Sequence, residues 1–396
     1  MEKMVKRQIG VGGIELTKED KDLVNKVLDS NRLSYGPITK EFEAEFAKLH
    51  ESKFAVFTNS GTSSLNIAVA ALKEKYGWKD GDEILVPSIT FVATSNVVIQ
   101  NNLKPVFVDV DADTFNINPK EIEKHITDKT KAIIPVHLLG LPADMEPIMN
   151  IAKKHNLRVI EDSAETMFAK YKGKTVGSFG DIGCFSTYIA HYIVTGIGGF
   201  SITSNSDVAI RLRSLMNHGR DSIYISIDDD NIADKDKLRE IISKRFSFIS
   251  IGYSFRATEI EAALGLSQLQ RKDEIIRKRK EIASEYIKGL SDLKDYIRFQ
   301  KTPSDRENVY MLFGIVDKSG DKSKLVNFLE DNGIETRDLL PLLNQPIYKK
   351  IFGNLEDKYP IAKMLNNSAF YIGCHQYITK DDVKYVLSKF HEFFKK

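Results

Sequence analysis

An alternation constrains this chain more than any other feature. Short runs rich in Val, Ile and Phe recur at Phe54–Phe57, Glu83–Val86, Pro105–Val110, Lys131–Val136, Leu157–Ile160, Asp181–Ser186 and Gly199–Thr203. Between several of them lie helical stretches, at Ser63–Tyr76, Val92–Gln100 and Glu146–His155. Strands buried on both faces and separated by helices predict an α/β fold with a mainly parallel sheet. Ligands of such sheets bind beyond the carboxyl ends of the strands. Two helices, Lys18–Leu28 and Lys40–His50, precede the first strand, with Pro37 closing the loop between them. Ala209–Met216 reads as a helix, and Ile223–Lys237 as a polar, acidic surface loop. A long helical stretch, Thr258–Tyr286, leads out of the large domain. A smaller α/β region follows, with a strand at Val309–Val316 and helices at Lys322–Asn332 and Asp381–Phe394. The expected division is a large domain over 1–275 and a small C-terminal domain over 276–396.

Composition removes several function classes. A formal net charge of +2 over 396 residues, with both signs interspersed, gives no footprint for nucleic acid. Cys184 and Cys374 are the only cysteines, too few for a disulfide scaffold or an iron–sulfur cluster. No apolar run reaches the length of a membrane span, and the N-terminus lacks a signal-peptide pattern, so a cytoplasmic location is expected. The eight histidines form no HExxH or Cys/His ligand cluster, so no metal is expected. No GxGxxG follows the first strand, which argues against a nicotinamide cofactor.

The polar residues at the strand ends each carry two readings. Gly61 and Thr62 open a helix, where free N–H groups and a hydroxyl can hold an anion; an ordinary capped loop has the same look. Asp162, just past a strand, can pair with a protonated ring nitrogen or cap a helix. Glu165, three residues on, can pair locally or contact the other side of a ring system. Phe91 is either a stacking platform or a core aromatic. In the run from Cys184 to Gly199, Ser186 offers a phosphate contact and the glycines allow close backbone approach. His191 can move a proton near neutral pH, or be a structural histidine.

Taken together, the segments resemble the sugar aminotransferase and dehydratase family named for the DegT, DnrJ, EryC1 and StrS proteins, over nearly the whole chain. The resemblance rests on Asn31–Pro37, Asn59-Ser60-Gly61-Thr62, Pro87–Thr94, Glu161–Glu165 and Gly252–Glu259, in that order. It implies an aspartate-aminotransferase-like (fold type I) large domain that binds pyridoxal or pyridoxamine 5'-phosphate, and a homodimer with sites at the subunit interface. Gly61, Thr62 and Ser186 would hold the cofactor phosphate. Phe91 would stack on the ring, Asp162 would pair with its nitrogen, and Glu165 would lie near its phenolic oxygen. Ser254 and Arg256 would reach the neighbour's site; many relatives have Asn where Ser254 stands. His218, Arg220, Arg256 and Arg337 are candidate contacts for the diphosphate or the sugar, and each has an equally ordinary structural reading.

The decisive departure is at His191, where aminotransferases of this family carry the lysine that bonds covalently to the cofactor. Ile189-Ala190-His191 resembles the Pro-Ala-His run of the 3-dehydratase branch, as do Leu72–Trp78, Pro135–Gly140 and Gly333–Arg337. Relatives usually have Glu where Ile197 stands. With two cysteines, the iron–sulfur type and its reductase partner are not expected. The resemblance therefore points to the type similar to GDP-4-keto-6-deoxymannose 3-dehydratase. That type holds the cofactor non-covalently, takes its amino group from L-glutamate and acts on a nucleotide-linked keto sugar. There His191, with a pKa near the ordinary value of about 6.5, would act first as base and then as acid. A nucleotide-sugar 4-aminotransferase and a non-catalytic descendant used for binding are the alternatives.

Overall fold

The computed structural model describes residues 8–221, 235–244 and 246–395. Among the described residues nine strands belong to the first part of the chain: β1 Phe54–Thr58, β2 Glu83–Pro87, β3 Lys104–Val108, β4 Thr130–Ile133, β5 Arg158–Asp162, β6 Lys170–Tyr171, β7 Lys174–Thr175, β8 Ile182–Ser186 and β9 Gly199–Thr203. Four follow in the C-terminal part: β10 Ile297–Phe299, β11 Leu312–Asp317, β12 Thr336–Asp338 and β13 Ala369–Gly373. The large sheet has seven strands in the order β1-β9-β8-β5-β4-β2-β3. It is parallel except for β9, which runs antiparallel to both β1 and β8. β2, β5, β8 and β1 therefore end on the same edge, and the candidate residues cluster there. The second sheet, β10-β11-β13-β12, is antiparallel throughout.

Local chemistry sets the helix bounds. Ser60 caps the helix Gly61–Tyr76 by accepting from the Ser63 N–H at 3.0 Å, and Gly77 ends it in the left-handed region at φ 65°. Pro37 does not close a loop, as expected, but occupies the first turn of the helix Pro37–Leu49, where its missing N–H costs nothing. The long helical stretch is two helices, Glu259–Leu269 and Lys272–Gly289, the first opened by a Thr258/Glu261 capping box. Of the expected acidic loop, 223–234 lies outside the described residues, whereas Lys235 onward is helical, over Lys235–Lys244.

The large core packs Phe42, Phe46, Phe57 and Phe200 behind β1, with Phe46 and Phe200 stacked at 3.9 Å. The small core gathers Leu290, Phe313, Leu325, Phe370 and Phe390. The helix Lys272–Gly289 spans 275 and 276 and joins the two: Ile275 is buried in the first core, Ile282, Ala283 and Tyr286 in the second. Among the described residues no helix is long and apolar enough to cross a membrane.

Candidate active site

Four strand ends supply the site. After β1, Gly61 and Thr62 are the first two residues of a helix, so their N–H groups have no partner within it. Gly61 sits against Ser186 at the end of β8: a Cβ built on it would lie 2.7 Å from the Ser186 Cβ. Gly199 closes the same cup, since a Cβ there would lie 2.5 Å from the Gly61 nitrogen. Two positions without side chains and two bare N–H groups beside a serine make a seat of the right chemistry for a phosphate.

After β5, Asp162 is buried. Its Oδ2 accepts from Thr94 Oγ1 at 2.7 Å and its Oδ1 from the Ala164 N–H at 3.1 Å. Burial raises its pKa, and those two donors oppose the rise. Thr90 Oγ1 meets Thr94 Oγ1 at 2.7 Å, so a chain of hydroxyls leads to the carboxylate. Thr94 escaped the sequence reading because a threonine inside a helix has no pattern that marks a partner. Phe91, the N-cap of the same helix, is 58 % exposed. The core reading of Phe91 is thus excluded, and an uncovered aromatic lies one turn from the group that aims Asp162.

Glu165 is buried beside Asp162. Its Oε2 accepts from the Leu139 N–H at 2.9 Å. Leu139 holds φ 57°, in the left-handed region, and Gly140 follows at φ 100°. Burial, with the Asp162 charge adding to it, raises the Glu165 pKa to about 7 against the Leu139 hydrogen bond. Under this pair, His137 Nε2 meets Glu161 Oε2 at 3.1 Å, and Glu161 also accepts from the N–H groups of Gly177, Phe179 and Gly180.

His191 lies in the loop after β8. It is half-buried, and its Nδ1 is enclosed without a hydrogen-bond partner. Its pKa is not near 6.5, as the sequence suggested. Burial lowers it to about 4, the Tyr188 carbonyl opposing and the Arg279 cation adding to the fall. The ligand-free imidazole is therefore neutral at neutral pH, a form able to accept a proton.

His218, Ser254 and Arg256 come together at the surface: Arg256 Nη2 donates to Ser254 Oγ at 3.1 Å and lies 3.4 Å from His218 Nε2. Arg256 also bridges Thr58, at the end of β1, which brings the cluster toward the cup at Gly61 and Ser186. Arg220 is two residues beyond His218, and its Nε is buried with no described partner. Arg337 does not join this group. It is exposed on β12 and ion-paired with Glu335. Ile197 is 55 % exposed.

The family model for DegT/DnrJ/EryC1/StrS aminotransferases matches residues 15–391. The chain belongs to that family. It is 34% identical to the GDP-perosamine synthase of Escherichia coli over 382 residues, covering 96% of each protein. The Helicobacter pylori aminotransferase PseC, from pseudoaminic acid biosynthesis, superimposes with a TM-score of 0.88 at 26% identity, over 98% of this chain and 100% of that one. An E. coli GDP-4-keto-6-deoxy-D-mannose-3-dehydratase with bound hydrated PLP gives 0.86 at 27% identity, over 97% of this chain and 99% of that one. The same kind of enzyme with a trapped PLP-glutamate geminal diamine gives 0.85 at 27% identity, over 96% and 99%. The fold is that of the fold type I enzymes, and the chain is an enzyme of this sugar-modifying family.

Proposed function

We propose that this member of the family is a C3 dehydratase of a nucleotide-linked 4-keto-6-deoxyhexose, with GDP-4-keto-6-deoxymannose the first substrate to try. It would take its amino group from L-glutamate, hold its cofactor without a covalent bond and act as a homodimer. The observation that carries this reading is His191, which by the resemblance drawn from the sequence takes the place of the lysine of the family's aminotransferases.

The residues fit the cofactor. The cup at Gly61, Thr62 and Ser186 suits its phosphate, Asp162 a protonated ring nitrogen, exposed Phe91 one face of the ring, and Glu165 its phenolic side. When bound, the pyridoxamine form supplies an amino group for the sugar ketone and a ring that accepts electrons. His191 then has two tasks. Its neutral imidazole takes up a proton at a ring nitrogen. The imidazolium so formed is a strong acid in this setting, suited to protonating the C3 hydroxyl, a poor leaving group. Imidazole cannot bond covalently to the cofactor, so the route that returns an amino sugar through lysine is closed. His218, Arg256 and Ser254 on the surface, and Arg220 beside them, would meet the diphosphate across the subunit interface; Arg337 would approach the sugar from the small domain.

A 4-aminotransferase is the second reading. Similarity by itself favours it, through the family's name, the GDP-perosamine synthase and PseC. One experiment separates the two: purified protein with PLP, L-glutamate and a panel of GDP-, CDP- and dTDP-linked 4-keto-6-deoxyhexoses, followed by product mass and released ammonia. A keto sugar lighter by one oxygen, with ammonia and 2-oxoglutarate in equal amounts, is the expected result, and His191→Asn should abolish it while leaving PLP binding intact. A stable amino sugar without ammonia refutes the dehydratase. PLP binding with no product from any sugar would leave either a substrate outside the panel or a non-catalytic binding protein.

A further inference from the structure

Arg279 lies midway along the helix Lys272–Gly289 and is 1% exposed. A buried guanidinium ordinarily has a carboxylate partner. This one has no ion pair among the described residues. Its Nε donates to Gln376 Oε1 at 3.0 Å, its Nη1 to the Met311 carbonyl at 2.8 Å, and its Nη2 to the His191 carbonyl at 3.0 Å. Its fourth contact is the ring of Tyr192, at 4.7 Å. Three neutral acceptors and an aromatic face leave the charge uncompensated, an arrangement that costs stability and so points to a task.

The surroundings of His191 indicate the task. Its own loop presents Tyr188, whose carbonyl accepts from the His191 N–H at 2.9 Å and whose ring lies 6.3 Å away. The adjacent Tyr192 lies under the guanidinium. From the N-terminal segment comes Gly12, uncharged, packed on Ala190. From the helix comes Arg279, among the described residues the one charged group that acts on the imidazole.

We infer that Arg279 is a positioning residue for His191: its guanidinium grips the carbonyl of the histidine, and its uncompensated charge disfavours a second cation there and keeps the imidazole ready to accept a proton. This rests on the proposed role of His191 as the proton carrier, and it adds to burial, the main cause of that group's low pKa, a charged neighbour that acts in the same direction. A neutral base that resists protonation in the free enzyme becomes, once protonated during the reaction, an acid strong enough to release a hydroxyl.

The test uses the whole 396-residue chain without cofactor, labelled with 13Cε1-histidine and titrated by NMR, with the His191→Asn spectrum assigning the resonance. In the wild type His191 should stay neutral down to about pH 5. In Arg279→Met its midpoint should rise by roughly one unit or more, the effect of removing one nearby charge. Arg279→Lys, which keeps the charge, should retain the low midpoint. A wild-type midpoint near the ordinary histidine value, about 6.5, overturns the inference, and that measurement needs no variant to fold. A folded Arg279→Met protein with an unshifted midpoint overturns it equally. A low-titrating His191 in a protein that dehydrates no sugar counts against the proposed reaction and leaves the role of Arg279 standing.

Discussion

Glu165 offers a quantitative check on the site with no substrate at all. In the ligand-free protein its pKa stands at about 7 instead of 4.5, chiefly through burial. The sign follows from proton linkage. Below 4.5 the carboxyl is protonated in both folded and unfolded chains, and the group has no effect. As pH rises from there to about 7 the unfolded chain ionises while the folded one holds its proton, so stability falls, and above that the loss levels off. The loss is about 3 kcal/mol, the shift multiplied by ~1.4 kcal/mol per unit. Glu165→Gln cannot ionise, yet its amide oxygen can still accept from Leu139. Denaturant unfolding of both apoproteins at fixed protein concentration, at several pH values between 4 and 8.5, gives the difference curve. The variant should match the wild type at the acid end and exceed it by about 3 kcal/mol at the alkaline end. Parallel curves across that range would refute the buried, charge-opposed environment described for Glu165.

Two other substitutions probe the proposed cofactor seat. Thr94→Val removes one of the two described donors to Asp162 and should weaken PLP binding about tenfold, in line with ~1.5 kcal/mol for a hydrogen bond to a charged group; Thr94→Ser should restore it, and unchanged affinity in the valine variant, followed by absorbance, would separate Thr94 from the site. Gly61→Ala places a methyl 2.7 Å from the Ser186 Cβ. It should reduce PLP affinity far more than affinity for the phosphate-free aldehyde pyridoxal; equal losses for both would remove the cup from phosphate binding.

The order of elements in the large domain was legible because its strands are buried on both faces and announce themselves as apolar runs. The reversed direction of β9 was not, since Gly199–Thr203 has the composition of its parallel neighbours. In the small domain β10 and β12 are three residues each, too short for any periodicity. Asp162 and Ser186 stand at strand ends, where polar residues draw notice, but the roles proposed for them, for Glu165 and for His191 came from the family resemblance and not from position alone. Arg279 could not, for it stands in the run Arg277-Lys278-Arg279-Lys280, where only packing separates the buried cation from its solvated neighbours. The acidity of His191 was misjudged for the same reason: it depends on enclosure and on a charge remote in sequence.

The helix Lys272–Gly289 has ends in two different cores and grips the His191 carbonyl from its middle. Through Met311 and Gln376 the same guanidinium is also tied to the second sheet's side of the molecule. A rigid-body displacement of the small domain must therefore either drag the histidine along or tear one of these bonds. The base proposed at His191 is in effect mounted on a clutch: a ligand that drew the small domain inward would alter the footing of that histidine without touching it.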